Sequence, residues 1–528
     1  MISRKLAFVP ITFAVIFRAW LEYFSTDRMY AELRRLDAFP SKDVAWNDPS
    51  TADTTAVVLN WSRFPNVLLI STLLCGPWLD GVIKEVIIWN NSPVEIHHSD
   101  FRNTGCSRRK LKIHNSAENV YFQARFLACA KAATPYCFIQ DDDYLVRSEI
   151  IHTLHANLSQ STCPNTIHLL PPHEHLSSTL RELHIPPTGL NDSGPIHTSF
   201  AWLGHGTMLH RSEAVDFLAL MHQLNATEDE MKMADNYYTI LSNRVPEVWF
   251  DQGIELGGGQ PFTVGLEGDT RNAMHILRAT EFLQSLLRRT NTGNSTAPYV
   301  SLNTSEVSAL QAVSRAPCKG VPCLLETNIA LLPEDIVHTS DEASDILKVE
   351  AHNLNTLGLN GVAHYTNHPP SSAVDRDVIS FFESLQNATS GDYILLQFAY
   401  EVLGKAGLDI VWIVDKATED ILQNTQFTTS LDNKTWRPVA HKTPQCRDAS
   451  DFAHSKSDTL GQQLQLRECI VQIYPPFIVG GDKKYDTSAD GFDEIRFVRA
   501  EFHGGDRGQG QRWKVHEVFL DVGGSSRG

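Results

Sequence analysis

Three consecutive carboxylates, Asp141, Asp142 and Asp143, follow directly on the apolar run Tyr136–Gln140. A short apolar run of this kind reads as a buried strand, so three like charges collect where a strand ends. Their mutual repulsion costs stability unless a cation neutralises it. Hard divalent ions such as Mn2+ and Mg2+ take oxygen ligands and bridge protein carboxylates to substrate phosphates. Ligands of open α/β sheets bind outside the carboxyl ends of the strands, so position and chemistry agree on a metal–diphosphate site. For the tripeptide alone, a solvated acidic turn is the alternative.

The elements that must position this cluster lie upstream. Residues 54–59 are a β-branched strand, followed by a loop with Asn60 and Arg63 and a helix over 66–75. A second strand over 82–89 ends in Asn90 and Asn91, a third covers 111–114, and 119–131 reads as a helix. Strands alternating with helices at this spacing predict a mostly parallel, doubly wound α/β sheet. Its carboxyl rim would gather Asn60, Arg63, Asn90, Asn91 and Asp141–Asp143, a nucleotide-sized set of polar groups.

A strand followed by Asn60-Trp61-Ser62-Arg63, a strand ending in Trp89-Asn90-Asn91, a helix carrying Arg125 and the Asp141–Asp143 strand end together resemble the GT-A glycosyltransferases. Among these, the resemblance is to the exostosin-like domain of heparan-sulfate polymerases and its plant and fungal relatives, over roughly residues 54–265. It implies that Asp143, with Asp141, holds Mn2+ or Mg2+, and that Asp141 and Asp142 lie beside the ribose and sugar. It places Arg63 and Arg125 on the diphosphate, which a guanidinium fork suits; a helix-surface ion pair is the alternative for Arg125. The segment 200–211 resembles the family's acceptor-side strand, with Gly204 letting the backbone approach the donor sugar. His205 departs from the small residues usual there, and is either a sugar contact or a satisfied loop histidine. The segment 228–243 resembles a family segment with two aspartates; Ala234 replaces the first and Asp235 stands at the second. Asp235 would then lie near the anomeric carbon, as a base for the acceptor hydroxyl or as an anion against oxocarbenium-like charge. A helix N-cap is its alternative. Gly257–Gly259 would form a loop over the donor.

Residues 286–335 read as a linker holding a local Cys318/Cys323 disulfide, and 336–522 as short strands without helices, which predict a β-sandwich. Its segments resemble discoidin-like, galactose-binding-like jelly rolls, with Trp436 and Trp513 as core residues. The expected organisation is a signal peptide or signal-anchor over 1–25, a stem over 26–53, a GT-A domain over 54–285, the linker, and the sandwich.

Composition sets the compartment and excludes one class of partner. With Lys plus Arg at 45 against 62 for Asp plus Glu, the net charge of −17 argues against nucleic acid. The N-terminal Arg4 and Lys5 followed by an apolar dozen fit an ER-targeting segment. Sequons at Asn60, Asn90, Asn157, Asn191, Asn225, Asn294, Asn303, Asn387 and Asn433 suit a lumenal protein, Golgi or ER, membrane-anchored or secreted. Those at Asn60 and Asn90 are expected to be unglycosylated, because they fall at the rim. Nine cysteines leave at least one unpaired, and Cys137 reads as a small core residue. The expected function is metal-dependent transfer of a sugar from a nucleotide-diphosphate donor, a UDP-sugar first, to a glycan or glycoconjugate; the resemblance implies retention at the anomeric carbon. Two other classes remain: a glycan-binding protein with a degenerate GT-A domain, and a metal-dependent phosphohydrolase, for which no nucleophile motif is visible.

Overall fold

The structure is a computed structural model and describes residues 28–38, 51–160, 166–186, 195–258, 265–291, 298–302, 313–402, 408–439, 443–449, 465–474, 495–504 and 510–522. The expected targeting segment, Cys163, Gly259 and the sequons at Asn191, Asn294 and Asn303 lie outside these residues. No helix among the described residues is long and apolar enough to cross a membrane.

The first half contributes β1 (Thr54–Asn60), β2 (Ile83–Asn90), β3 (Leu111–Asn115), β4 (Tyr136–Gln140), β5 (Tyr144–Leu145), β6 (Ile167–Leu170), β7 (Leu183–Ile185), β8 (Ile196–Thr198), β9 (Thr207–His210), β10 (Glu247–Phe250) and β11 (Ile254–Glu255). Seven of them form one sheet in the order β10-β6-β9-β4-β1-β2-β3. The pairings β1–β2, β1–β4, β2–β3 and β6–β10 are parallel, while β9 runs antiparallel to both β4 and β6. The mostly parallel sheet expected from the sequence is therefore present.

The alternation along β1 and β2 shows why these strands are apolar throughout. Val57, Leu59, Ile87 and Trp89 enter one core, and Ala56, Val58, Val86 and Ile88 enter the other. Side chains of a strand point alternately to opposite faces, so a sheet covered on both sides needs apolar residues at every position. The helices Gln123–Ala130, Arg211–Gln223 and Asp235–Leu241 cover the first face, and Phe64–Leu74 and Ser148–Gln160 the second. Each fully buried large aliphatic side chain stabilises this arrangement by about 1.5–3 kcal/mol.

The second half holds β12 (Ser314–Pro317), β13 (Cys323–Thr327), β14 (Phe382–Asn387), β15 (Tyr393–Val402), β16 (Leu408–Val414), β17 (Thr425–Ser430), β18 (Arg437–Pro438), β19 (Gln445–Asp448), β20 (Arg467–Tyr474), β21 (Ile495–Phe502) and β22 (Arg512–Val522). They form a six-stranded sheet, β12-β13-β15-β21-β17-β18, and a five-stranded sheet, β14-β22-β16-β20-β19. All pairings in both sheets are antiparallel. Between them lies one core containing Leu396, Phe398, Ile410, Trp412, Val498 and Trp513.

Four sequence expectations change here. The linker over 286–335 is corrected in its latter part, because β12 and β13 are strands of the six-stranded sheet. The sandwich also carries helices, Ile346–Asn367 and Lys416–Leu422. Trp513 is core, but Trp436 is only partly buried and lies against the Arg499 guanidinium at 5.8 Å. Cys137 is not a lone core thiol: it is joined to Cys129, alongside the pairs Cys75–Cys106, Cys318–Cys323 and Cys446–Cys469. Four disulfides suit an oxidising, secreted or lumenal setting.

The two halves pack closely. Leu176, Leu180 and Phe250 of the first half sit in the sandwich core, and Leu324 of β13 sits in a core of the parallel sheet. Helix Ile346–Asn367 bridges them, its Asn353 amide bonding the Leu180 and Val337 carbonyls at 3.1 and 2.7 Å.

Candidate functional site

The site is built where β4 stops. The Asp141 amide donates to the Gly204 carbonyl at 2.9 Å, which fixes the start of the acidic turn against the loop before β9. Arg125 projects from helix Gln123–Ala130, which the Cys129–Cys137 disulfide ties to β4. Its Nη2 contacts both Asp141 carboxylate oxygens, at 2.6 and 2.5 Å, and its Nη1 meets the Asp235 carboxylate. Arg125 and Asp235 are 1 % and 0 % exposed. Buried charges are tolerated only when paired, and this guanidinium forms ion pairs with two carboxylates from different elements. Gly204 makes the packing possible: a Cβ there would lie 2.4 Å from Asp141 Oδ2.

A second ion group stands beside the first. Arg63, just before helix Phe64–Leu74, reaches Asp142 at 3.0 Å and Asp143 at 3.2 Å. Its Nε donates to the Gly258 carbonyl, and Asn66 Nδ2 donates to the Gly257 carbonyl at 2.9 Å. The two glycines adopt φ +62° and +78°, a left-handed backbone that glycine takes without steric cost. The glycine run thus arches over Arg63. Asp142 also accepts from the Trp61 amide at 3.2 Å. Asp142 and Asp143 are both held above the ordinary aspartate range, by burial first and by the charge of Asp141. The Asp143 side chain is 42 % exposed, against 27 % for Asp141 and 8 % for Asp142.

A third group, which sequence reasoning missed, borders these. Asp251 follows β10 as Asp141 follows β4, so the same signal, an apolar strand ending in Asp, was available. Asp251 accepts from the Tyr144 hydroxyl and, at 2.6 Å, from the Gly253 amide. His205 Nε2 lies 3.1 Å from Glu174, and its ring meets Tyr144 edge-on at 4.7 Å. Burial opposes its charge, but Glu174, with Asp251 and Asp141 beyond it, raises His205 to about 9. Buried polar atoms without a hydrogen-bond partner occur here as well: His205 Nδ1, Asn236 Oδ1 and Nδ2, and Asn60 Oδ1. Such atoms are rare in native proteins and point to an absent polar ligand or water.

The remaining sequence candidates are at the rim, but their amides are taken up within the protein. Asn60 Nδ2 donates to Asn90 Oδ1 at 2.6 Å, and Asn90 Nδ2 to Asn115 Oδ1 and the Val94 carbonyl, each at 2.8 Å. Asn91 joins the Tyr121 carbonyl at 3.2 Å and the Val120 amide at 3.3 Å. These three residues lock together the ends of β1, β2 and β3. Asn60 and Asn90 are buried, which leaves no room for a glycan on either. Asp235 is not an N-cap: Ala234 occupies that position, and the Asp235 side chain is paired with Arg125.

The donor set fits a hard divalent cation shared with a ligand, not one caged by protein. Among the described residues, the acidic turn does not bring three donor atoms together. Asp143 and Asp141, the two more exposed carboxylates of the turn, would supply two ligands. Mg2+-type ions are commonly held by one or two carboxylates plus substrate phosphates.

No family model matches the chain, and no curated protein matches it either. Solved structures match in part. A mannosyltransferase from Pyrobaculum calidifontis, in complex with GDP-Man and Mn2+, is 13% identical over 54% of this chain and 76% of that one, with a TM-score of 0.29. The first family 32 carbohydrate-binding module of a family 31 glycoside hydrolase from Clostridium perfringens is 13% identical over 28% of this chain and 81% of its own, with a TM-score of 0.18. A family 32 module of NanJ from C. perfringens, in complex with galactose, is 11% identical over 29% and 86%, with a TM-score of 0.19. The chain is thus weakly and partially similar to a glycosyltransferase and to carbohydrate-binding modules.

Proposed function

We propose that the chain is a metal-dependent glycosyltransferase, moving a sugar from a nucleotide-diphosphate donor, a UDP-sugar first, to a glycan or glycoconjugate in the Golgi or ER lumen. One observation carries this reading: the most exposed carboxylate of the turn, Asp143, stands beside the linked group Asp235–Arg125–Asp141 on the carboxyl rim of a mostly parallel sheet. That rim is where such sheets bind ligands.

In this reading Asp143 and Asp141 hold Mn2+ or Mg2+, and the ion, when bound, neutralises the leaving diphosphate as a Lewis acid. Arg63 lies at the edge of the same turn, where its guanidinium can face a phosphate oxygen as well as Asp143. Gly257 and Gly258 cover it and exclude water from that side. Asp142 fixes Arg63 and the Trp61 backbone. Gly204 leaves the space in which Asp141 lies flat against the loop, and His205, kept cationic by Glu174, adds positive charge next to it.

Two roles are reassigned on physical grounds. Arg125 is too deeply buried, and its guanidinium too closely held between Asp141 and Asp235, to meet a diphosphate. Asp235 is likewise closed to an acceptor hydroxyl, so neither serves as direct contact or base in this conformation. Together they are positioning residues: Asp235 holds Arg125, and Arg125 holds Asp141. The internal pairing of all four aspartates with two arginines also supports a second reading, a glycan-binding protein whose transferase site no longer takes a donor.

Calorimetry of the full chain with a panel of UDP- and GDP-sugars separates the two. Mn2+-dependent binding of one donor, lost in Asp143→Ala, is the expected result. A folded protein that binds no donor with Mn2+ present sinks the transferase reading and leaves the glycan-binding one.

A further inference from the structure

A second cluster of ligating side chains lies far along the chain from the acidic turn. Helix Ile346–Asn367 ends at His368, and His364 stands four residues earlier, one turn away on the same face. The turn closes with the His368 amide on the His364 carbonyl at 3.0 Å, and Pro369 and Pro370 prevent the helix from continuing. Across from it, β14 presents Glu383, whose amide donates to the His368 carbonyl at 3.4 Å. The result is two imidazoles and a carboxylate whose donor atoms all lie within 4.8 Å of one another.

One hydrogen bond in this trio fixes a ring tautomer. His364 Nε2 lies 3.1 Å from the Glu383 carbonyl oxygen, which only accepts, so Nε2 carries the hydrogen. In the neutral ring, Nδ1 then presents a lone pair, and it faces Glu383 Oε2 at 3.7 Å. His368 Nδ1 is buried and has no hydrogen-bond partner. The His368 ring is fixed by stacking on Phe381 at 4.2 Å. Lys514, paired opposite Glu383 across β14 and β22, is turned instead onto the Phe381 ring at 4.0 Å. His364 Nδ1 and the Glu383 carboxylate thus face each other as acceptors, with the His368 ring beside them.

We propose that His364, His368 and Glu383 form a binding site for a divalent transition-metal ion, Zn2+ by its donor set. Two imidazoles and a carboxylate are a zinc ligand set, and a ligating histidine that gives its other N–H to a backbone carbonyl is the usual outer-shell support for one. Bonds of about 2.0–2.2 Å would bring the donors roughly 3.5 Å apart, a closure of about 1 Å that rotation of the His364 and Glu383 side chains toward the stacked His368 ring supplies. All three residues are only partly buried, so an ion can enter and a fourth position is left for water. The ion would pin the helical segment that follows the kink at Gly358 to the five-stranded sheet.

The test uses the full chain. Zn2+ titration by calorimetry should show one equivalent bound at this site, and Co2+ in its place should give the visible bands of a four-coordinate nitrogen–oxygen environment. The double variant His364→Ala/His368→Asn should weaken Zn2+ at least about tenfold, while Asp143→Ala leaves this equivalent in place. An intact double variant that binds Zn2+ as tightly as the parent overturns the proposal, as does loss of the equivalent in Asp143→Ala. Should the double variant not fold, acylation of His364 and His368 by diethyl pyrocarbonate is followed in the parent protein by mass spectrometry. Zn2+ should slow it at least about tenfold, and an unchanged rate overturns the site.

Discussion

Gly204 and Asp141 show how little room the site leaves for variation in a single residue. A methyl group at position 204 would lie 2.4 Å from Asp141 Oδ2 and 3.2 Å from Arg125 Nη2, inside the contact distance of both. Gly204→Ala should therefore push Asp141 off its guanidinium, destabilise the fold by about 1–3 kcal/mol, and weaken Mn2+-dependent donor binding. Chemical denaturation and calorimetry check the two effects separately; unchanged donor affinity would show that the Asp141 position is irrelevant to binding. At this scale the sequence disclosed residue types better than residue roles. The acidic turn, Arg63, Arg125 and Asp235 all stand out in the sequence, and they do converge. Pattern alone could not say that Arg125 faces inward, because a helix face is assigned only when its partner is known. Asp251 went unnoticed although it ends an apolar strand as Asp141 does, because it stands alone and not in a triple, and Glu174 because a single carboxylate in a first helical turn reads as an ordinary helix residue.

Among the elements, strands were the most readable, since the near-continuous burial of β1, β2, β15 and β16 needs apolar runs that stand out from their flanks. Helix Ile346–Asn367 was hidden. It is broken by a kink at Gly358, where φ +64° and ψ 173° are non-helical, and it carries Asn353, Asn355 and Asn360, all poor helix formers. Tertiary bonds hold it instead, including Arg181 to Glu350 at 2.6 Å and the Asn353 amide. The Cys129–Cys137 bridge was also out of reach, because a cysteine inside an apolar strand looks like any small core residue. In the folded chain this bridge fastens the helix bearing Arg125 to the strand that ends at Asp141. Cys129→Ala/Cys137→Ser should cost about 2–3 kcal/mol for a loop of this length, and weaken donor binding more than the equivalent change at Cys446–Cys469. Equal effects from both pairs would refute a special role for the first.

For the molecule as a whole, the junction between the halves should respond to acid. His175 of helix Pro172–Leu180 is buried, stacked on Phe250 at 3.8 Å, and bonded through Nδ1 to the Tyr365 hydroxyl at 2.9 Å. Burial drives it from 6.5 down to about 3. Between those values the unfolded chain takes up a proton that the folded one refuses, so stability falls as pH drops through this window, by about 1.4 kcal/mol per pH unit. Denaturation midpoints at pH 7 and pH 4.5 measure it, and His175→Gln should flatten the slope. The sequence indicated two architectures in the right order, yet placed their boundary too late: β12 and β13 are separated from β14 by a long helical excursion. It gave no sign that Leu176, Leu180 and Phe250 would enter the sandwich core, or that Leu324 would enter the other. That exchange of side chains bears on ancestry. A module that buries its neighbour's leucines cannot be shuffled onto another protein without exposing them, so the two halves must be inherited, lost and altered together.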